Sequence, residues 1–286
     1  MPTRKQILVP DDRLTTSPVG SWTLQKYRRL DLYDTLFSTG MKRHWNQRVY
    51  IDLFSGPGHA KIRGTDRIVE TSPLIALRVP DRFDKYIFCD KEAKNISALR
   101  KRVAREFPDV DPSYVVGDCN EIVAEIVEQI PKASKGKSVL SFCFADPFGI
   151  DDLKFRTIQT LSARSRMDFL VLLALDMDAN RFQSLYVKET SPVIEEFLDD
   201  SSWRSKWAKA KLRGVDFRVF LAEMFASRMV RLGYLPAGLE RMEEIRSDEK
   251  NLPLYHLAFF SKHPRGYQFW DQVLKYGTDQ LSLEFH

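Results

Sequence analysis

From residue 48 onward the chain alternates two rhythms. Short apolar runs at 49–54, 86–89, 114–116, 139–145 and 169–175 are separated by stretches of helical spacing such as AKNISALRKRVAREF and NEIVAEIVEQI. Strands alternating with helices predict a parallel sheet covered on both faces. The last two runs are almost wholly apolar, as strands buried on both faces require. Ahead of the first run, Leu24, Tyr27, Leu30, Leu32 and Leu36 predict a helix over 23–37. The first twenty residues hold Pro2, Pro10 and Pro18 among polar neighbours, so 1–22 is expected to be a flexible lead and 23–286 the domain proper.

After Asp178 the rhythm changes. Residues 179–214 are polar and helical with no strand signal and read as an insertion, followed by an apolar-striped helix at 217–232. Candidate strands at 243–246 and 254–260 end the pattern. Five parallel-type strands and a C-terminal pair predict an α/β fold: a doubly wound, seven-stranded, mostly parallel, Rossmann-like sheet with a helical insertion.

Composition narrows the class. A 286-residue chain that is 43% hydrophobic can bury one large core. The longest apolar stretch, 169–175, is too short to cross a bilayer, and MPTRKQILVPDDR has no run of signal-peptide length. A cytoplasmic protein without membrane contact is expected. Three cysteines without a CxxC pair give no disulfide framework, and five scattered histidines give no metal site. The formal charge of +5 favours polyanionic partners only weakly, so the position of the basic residues matters more.

In doubly wound sheets, ligands sit beyond the carboxyl ends of the strands. Here those ends read Asp52-Leu53-Phe54-Ser55-Gly56-Pro57-Gly58, Cys89-Asp90, Gly117-Asp118-Cys119 and Ala145-Asp146-Pro147-Phe148-Gly149. Each of the first four strands ends at or beside an aspartate. Singly, Asp90 and Asp118 are also good N-caps for the helices that follow, and Gly56 and Gly58 also suit a plain tight turn. The recurrence in consecutive register is the stronger signal. After Gly58 the chain runs HAKIRGTDRIVETSP, a polar and basic loop, and a helix starts only at Ser72 with Pro73 in the first turn. A dinucleotide site needs its glycine turn to open directly into a helix facing the pyrophosphate. Lys61 stands where a third glycine of GxGxxG belongs, and GxxxxGK[ST] is absent. The pocket is therefore read as built for an adenosine without a pyrophosphate, which S-adenosylmethionine fits.

DLFSGPG resembles the first motif of class I S-adenosylmethionine-dependent methyltransferases, especially the DLFAGxG form of DNA methyltransferases. More closely, the chain resembles the three-Cys-motif partner family of bacterial proteins. The likeness rests on LQKYRRLDLY, YIDLFSGPG, Ser72-Pro73, the acid after the second strand, DPFG, and SKHPRG at 261–266. The resemblance implies a methyltransferase-like domain with a neighbouring-gene partner bearing three cysteines. It implies that Asp52, Gly56 and Gly58 line the methionine end of the cofactor, Asp90 the ribose and Asp118 the adenine edge, with Phe54 and Cys119 completing the set.

FADPFG resembles the [DNS]-P-P-[YFW] motif of methyltransferases that modify exocyclic amines of nucleic-acid bases, with its second proline missing and Gly149 in place of the last aromatic. By that likeness Asp146 and the Pro147 carbonyl accept the amine N–H groups and Phe148 stacks on a flipped base. C5-cytosine chemistry is not expected, because no cysteine follows a proline; Cys89 and Cys143 read as buried small residues. His59, in the glycine loop, reads as a solvent-facing residue, with cofactor contact or proton handling as the alternative. A nucleic-acid contact, DNA or RNA, is assigned to SSWRSKWAKAKLRG through Trp203, Arg204, Lys206, Trp207 and Lys209, where basic residues interleave with two tryptophans one turn apart. The alternative reading of that pair is an anchor to the core. A second basic stretch, 61–67, flanks the glycine loop. The sequence thus leads to a methyltransferase acting on a nucleic-acid base. A protein or small-molecule methyltransferase, or a non-catalytic cofactor-binding partner subunit, stays open.

Overall fold

The computed structural model describes residues 8–248 and 250–278. In chain order its elements are β1 (Leu8–Val9), β2 (Ser17–Val19), α1 (Thr23–Met41), β3 (Gln47–Asp52), β4 (His59–Ile62), β5 (Ile68–Glu70) and α2 (Ser72–Leu77). Then come β6 (Lys85–Asp90), α3 (Ala93–Glu106), β7 (Ser113–Val116), α4 (Val123–Gln129), β8 (Val139–Ala145), α5 (Phe155–Arg164) and β9 (Arg166–Leu173). A π-helical turn (Leu175–Asn180) opens the insertion, which continues as α6 (Gln183–Tyr186), α7 (Val193–Leu198) and α8 (Trp203–Leu212). The chain returns through α9 (Phe217–Arg231), β10 (Glu243–Arg246), β11 (Pro253–Phe260) and α10 (Pro264–Thr278).

The main sheet has the order β10-β11-β9-β8-β3-β6-β7; β3, β6, β7, β8 and β9 are parallel, and β10 and β11 antiparallel. This is the expected seven-stranded, mostly parallel sheet. Every residue of β8 is buried, and in β9 only Arg166 is not. Successive residues of a strand face opposite sides, and β11 shows the consequence. Phe259 packs on Tyr33 of α1 and Trp270 of α10, while Phe260 packs on Phe225 of α9. The sheet is thus a central layer between two helical layers.

Two expectations are corrected. HAKIRGTDRIVETSP is not a loop but the hairpin β4–β5, with Ala60, Ile62 and Val69 forming a small core of their own. The lead is not loose from residue 8 onward. The two edges of that hairpin are open to pairing, and the lead covers both: β1 pairs antiparallel with β5, and β2 parallel with β4. Between them Asp12 forms a double ion pair with Arg102, whose side chain is completely buried and also donates to the carbonyls of Thr15 and Pro57. A guanidinium out of water needs all its donors satisfied, and the lead supplies most of the acceptors. The guanidinium beside Asp12 holds its carboxyl well below the usual range.

Among the described residues no helix is long and apolar enough to cross a membrane.

Candidate functional site

Chain order turns back at β3. From it the chain runs outward through β6 and β7, then crosses to the other side to add β8 and β9. A crevice opens where adjacent strands lead away in opposite directions, beyond their carboxyl ends. A cavity of about 300 Å³ lies there, lined by the turn after β3 (Phe54 to Pro57), by Asp90 and Asn95, by Asp146 to Phe148, and by Lys26 and Tyr27 of α1. A smaller recess of about 130 Å³ adjoins it, sharing Phe54, Asp90 and Asn95 and closed by Gly117, Asp118 and Cys119. The four acid-bearing strand ends are therefore brought to one trench.

Their roles within it differ. Gly56 has φ of +60°, and a Cβ there would meet nothing within 4 Å, so the turn leaves room for a ligand at its surface. Gly58, also at positive φ, packs inward, where a Cβ would lie 2.9 Å from Leu99. It supports the turn rather than lining the cleft, and Asp52 is likewise placed behind the turn instead of in it. Asp52 is fully buried, accepts from Phe54 N at 3.2 Å, and is pushed up to about 7 by burial, with Asp146 and Asp90 adding to the effect. Ser55 Oγ in the same turn is buried without a hydrogen-bond partner.

Asp90 is both cap and cleft residue. Its Oδ2 accepts from Gly56 N at 2.8 Å, tying the glycine turn to β6, and its Oδ1 accepts from Glu92 N and Asn95 Nδ2 at the start of α3. A carboxylate has about four lone-pair sites, so about one remains for a ligand hydroxyl. Asp118 accepts from Asn120 N and borders the recess beside Cys119, which is buried and whose thiol burial pushes up to about 12. After Gly58 the hairpin intervenes before α2, so no helix opens from the glycine turn to meet a pyrophosphate.

Across the trench, Asp146 Oδ2 is bound by Lys26 Nζ in a short ion pair. Sequence reasoning missed Lys26 as a site residue: it stands 120 positions from its partner, with only its place in LQKYRRLDLY as a signal. Phe148 projects into solvent at the rim, 72% exposed. Gly149 is crowded by acids, for a Cβ there would stand 2.6 Å from Asp151 Oδ1 and 3.0 Å from Asp178 Oδ2. Asp178 also accepts from Ile150 N and Tyr186 OH, so the π-helical turn fixes the loop after β8.

The basic helix is elsewhere. None of Trp203, Arg204, Lys206, Trp207 and Lys209 lines the cavity. Trp203 is completely buried, and Trp207 packs on Phe217 and Phe220 of α9. Neither offers a face to a base, which corrects the stacking role: the pair anchors the insertion. Arg204 donates to the carbonyls of Lys188 and Ser191, and Lys206 pairs with Asp200, leaving Lys209 on the exposed face. From the second basic stretch, Arg63 does line the cavity. His59 is 1% exposed rather than solvent-facing, and burial lowers its pKa to about 4.

No protein-family model matches the chain, and no curated protein matches it. Among solved structures it is similar to an S-adenosylmethionine-dependent methyltransferase from Clostridium acetobutylicum (14% identity, TM-score 0.32), over 50% of each chain, and so spans half that protein's length. It is similar to magnesium protoporphyrin IX methyltransferase from Synechocystis (9% identity, TM-score 0.43, 83% of this chain and 84% of that one). It is also similar to an rRNA methylase from Streptococcus thermophilus (8% identity, TM-score 0.39, 86% and 99%). Likenesses this distant say nothing about activity, which rests on the cleft itself.

Proposed function

We propose that this protein is an S-adenosylmethionine-dependent methyltransferase acting on an exocyclic amine of a nucleic-acid base. The carrying observation is the trench at the switch point, with an open-faced glycine turn and Asp90 on one wall and Asp146, Pro147 and Phe148 on the other. Gly56 and the orphaned Ser55 hydroxyl suit the polar end of the cofactor, Asp90 one ribose hydroxyl, and the Asp118–Cys119 recess the adenine. When bound, the cofactor supplies an electrophilic methyl group. Lys26 holds one oxygen of Asp146, so Oδ1 and the Pro147 carbonyl are left to accept the two N–H groups of an amine and fix its orientation. Once the nitrogen has taken the methyl group it sheds a proton, and Asp146 is placed to receive it. Exposed Phe148 suits stacking on a planar base, and Arg63 at the mouth suits its phosphate.

The test has two stages. Calorimetric titration of the full chain with S-adenosylhomocysteine should show one site, weakened at least tenfold in Asp90→Ala, while NAD gives no heat. Tritium from labelled S-adenosylmethionine should then enter DNA or RNA, and Asp146→Ala should abolish transfer while keeping the binding heat. Binding of NAD alone refutes the cofactor assignment. Cofactor binding with transfer only to protein or small molecules refutes the substrate class. Transfer that requires an added three-cysteine partner protein makes the chain one subunit of the enzyme.

A further inference from the structure

Behind the wall of the trench formed by Ile245 and Tyr255, the fold gathers three side chains that the proposed reaction does not use. Asp176 comes from the π-helical turn after β9, Glu244 from β10 and His256 from β11, and one ligand atom of each lies within 4.8 Å of the others. They are far apart in sequence, and the scattered histidines carried no metal spacing, so the sequence predicts no such group.

Two of the donors are buried and unsatisfied. The side chains of His256 and Asp176 are 4% and 8% exposed, and His256 Nδ1 and Asp176 Oδ2 face one another at 3.4 Å without a hydrogen-bond partner. Buried polar atoms are nearly always satisfied, and each exception calls for a physical reason. Ligands about 2.1 Å from a tetrahedral ion stand about 3.4 Å apart, which is the spacing of this pair. Glu244, the most exposed of the three, has Oε2 3.8 Å from His256 Nε2, the ring nitrogen turned away from Asp176, so its side chain must swing towards Nδ1 to share an ion with that pair.

Two arginines border the cluster and orient its acids. Arg218 Nη1 donates to Asp176 Oδ1 at 2.9 Å, leaving Oδ2 to point at the histidine, and stands 4.0 Å from Glu244 Oε2, while Arg246 binds Glu244 Oε1. Hydrogen bonds to the outer oxygen of a ligating carboxylate are how an outer shell fixes its direction. Asp216 lies 3.7 Å from Arg218, so the acids Asp176, Glu244 and Asp216 face the two guanidiniums of Arg218 and Arg246, and the cluster carries one net negative charge with His256 neutral.

We propose that Asp176, Glu244 and His256 bind a divalent first-row transition ion through one imidazole nitrogen and two carboxylate oxygens. A mixed nitrogen–oxygen set of this kind suits zinc or manganese rather than calcium, which takes oxygen ligands throughout. The ion ties the first turn of the insertion to the antiparallel edge of the sheet. That turn also carries Asp178, which holds the loop after β8, so the ion stiffens the wall of the trench from behind.

The test uses the full chain without a histidine tag, stripped with chelator and titrated separately with zinc and manganese chlorides in a calorimeter and in thermal melts. One equivalent should bind, and at a hundredfold excess over the dissociation constant Tm should rise by about 5 °C. Asp176→Asn and Glu244→Gln, which keep shape, should each weaken binding at least tenfold, read against that variant's own metal-free melt; His256→Ala should abolish it. Absence of saturable binding below millimolar metal overturns the proposal. So does binding that both isosteric variants leave unchanged, which would place the ion elsewhere and leave only a proton between His256 and Asp176.

Discussion

Asp52→Asn removes one buried charge and turns the oxygen facing Tyr50 OH from an acceptor into a donor. The carboxyl is fully buried beneath the glycine turn and accepts from Phe54 N, a bond that the amide oxygen of asparagine keeps. Burial is the largest cause of its rise from 3.8 to about 7, with hydrogen bonds from Ser72 and Phe54 opposing and Asp146 and Asp90 reinforcing it. The native state therefore holds a proton that the unfolded chain has already lost. Stability conferred by that proton is complete below about pH 4, declines as pH rises, and is gone once pH passes about 7. Across that window the wild type loses about 4 kcal/mol that the neutral amide does not lose, a ceiling set by multiplying the displacement by about 1.4 kcal/mol for each pH unit. The variant should match wild type near pH 4 and exceed it near pH 8, by on the order of 10 °C in Tm.

His59 works in the opposite sense. Buried neutral, with a native pKa near 4 against an unfolded 6.5, it adds stability that is lost as pH falls from about 6.5 towards 4. The wild-type profile mixes both effects, so the measurable quantity is the difference between variant and wild type in urea unfolding at several pH values. A difference that does not change with pH, or that turns against the variant as pH rises, refutes the view that Asp52 is a desolvated acid.

Three other outcomes follow from the same packing. Lys26→Met leaves Asp146 without its cation in a largely buried place and should cost about 3 kcal/mol; urea unfolding of Lys26→Met with Asp146→Asn should recover most of it, and strictly additive losses would show that the pair is not coupled. Trp203→Ala should cost about 4 kcal/mol through the cavity it opens, while Lys209→Ala should stay within about 0.5 kcal/mol. If Trp203→Ala unfolds like wild type, the tryptophan is not the anchor of the insertion. Arg102→Met removes the guanidinium that joins Asp12 and Thr15 to Pro57, so limited proteolysis should cut within 8–20 faster than in wild type and S-adenosylhomocysteine should bind more weakly; unchanged protection would mean that strand pairing alone holds the lead.

What the sequence showed and what it hid divide along the distance between partners. β8 and β9 were legible because a run of apolar residues states its own burial. The start of α2 was legible because Ser72-Pro73 is a local signal. The lead was misjudged because nothing within residues 1–22 reveals that a hairpin forty residues on has two open edges, or that a buried arginine at 102 waits for Asp12. The tryptophans of α8 failed for a related reason: their spacing shows that they share a face, but which surface that face meets depends on α9.

The same division governs the chemistry. Asp90 and Asp146 were found because each stands where a strand ends, and a strand end is a local fact. Their capacity to bind anything was not local. The resemblance gives Asp90 the ribose, yet Gly56 and the first turn of α3 use three of its lone-pair sites. The likeness gives Asp146 an amine N–H to accept, yet Lys26 takes one of its oxygens. In each case the fold reduces a two-handed acceptor to a one-handed one, and so fixes which way a ligand must approach. A cofactor held by a single ribose contact and an amine held by one carboxylate oxygen and one carbonyl are more tightly constrained in direction than in strength. On this view, substitutions of Gly56 or Lys26, which orient the acids, should disturb selectivity among ligands more than those of exposed Arg63.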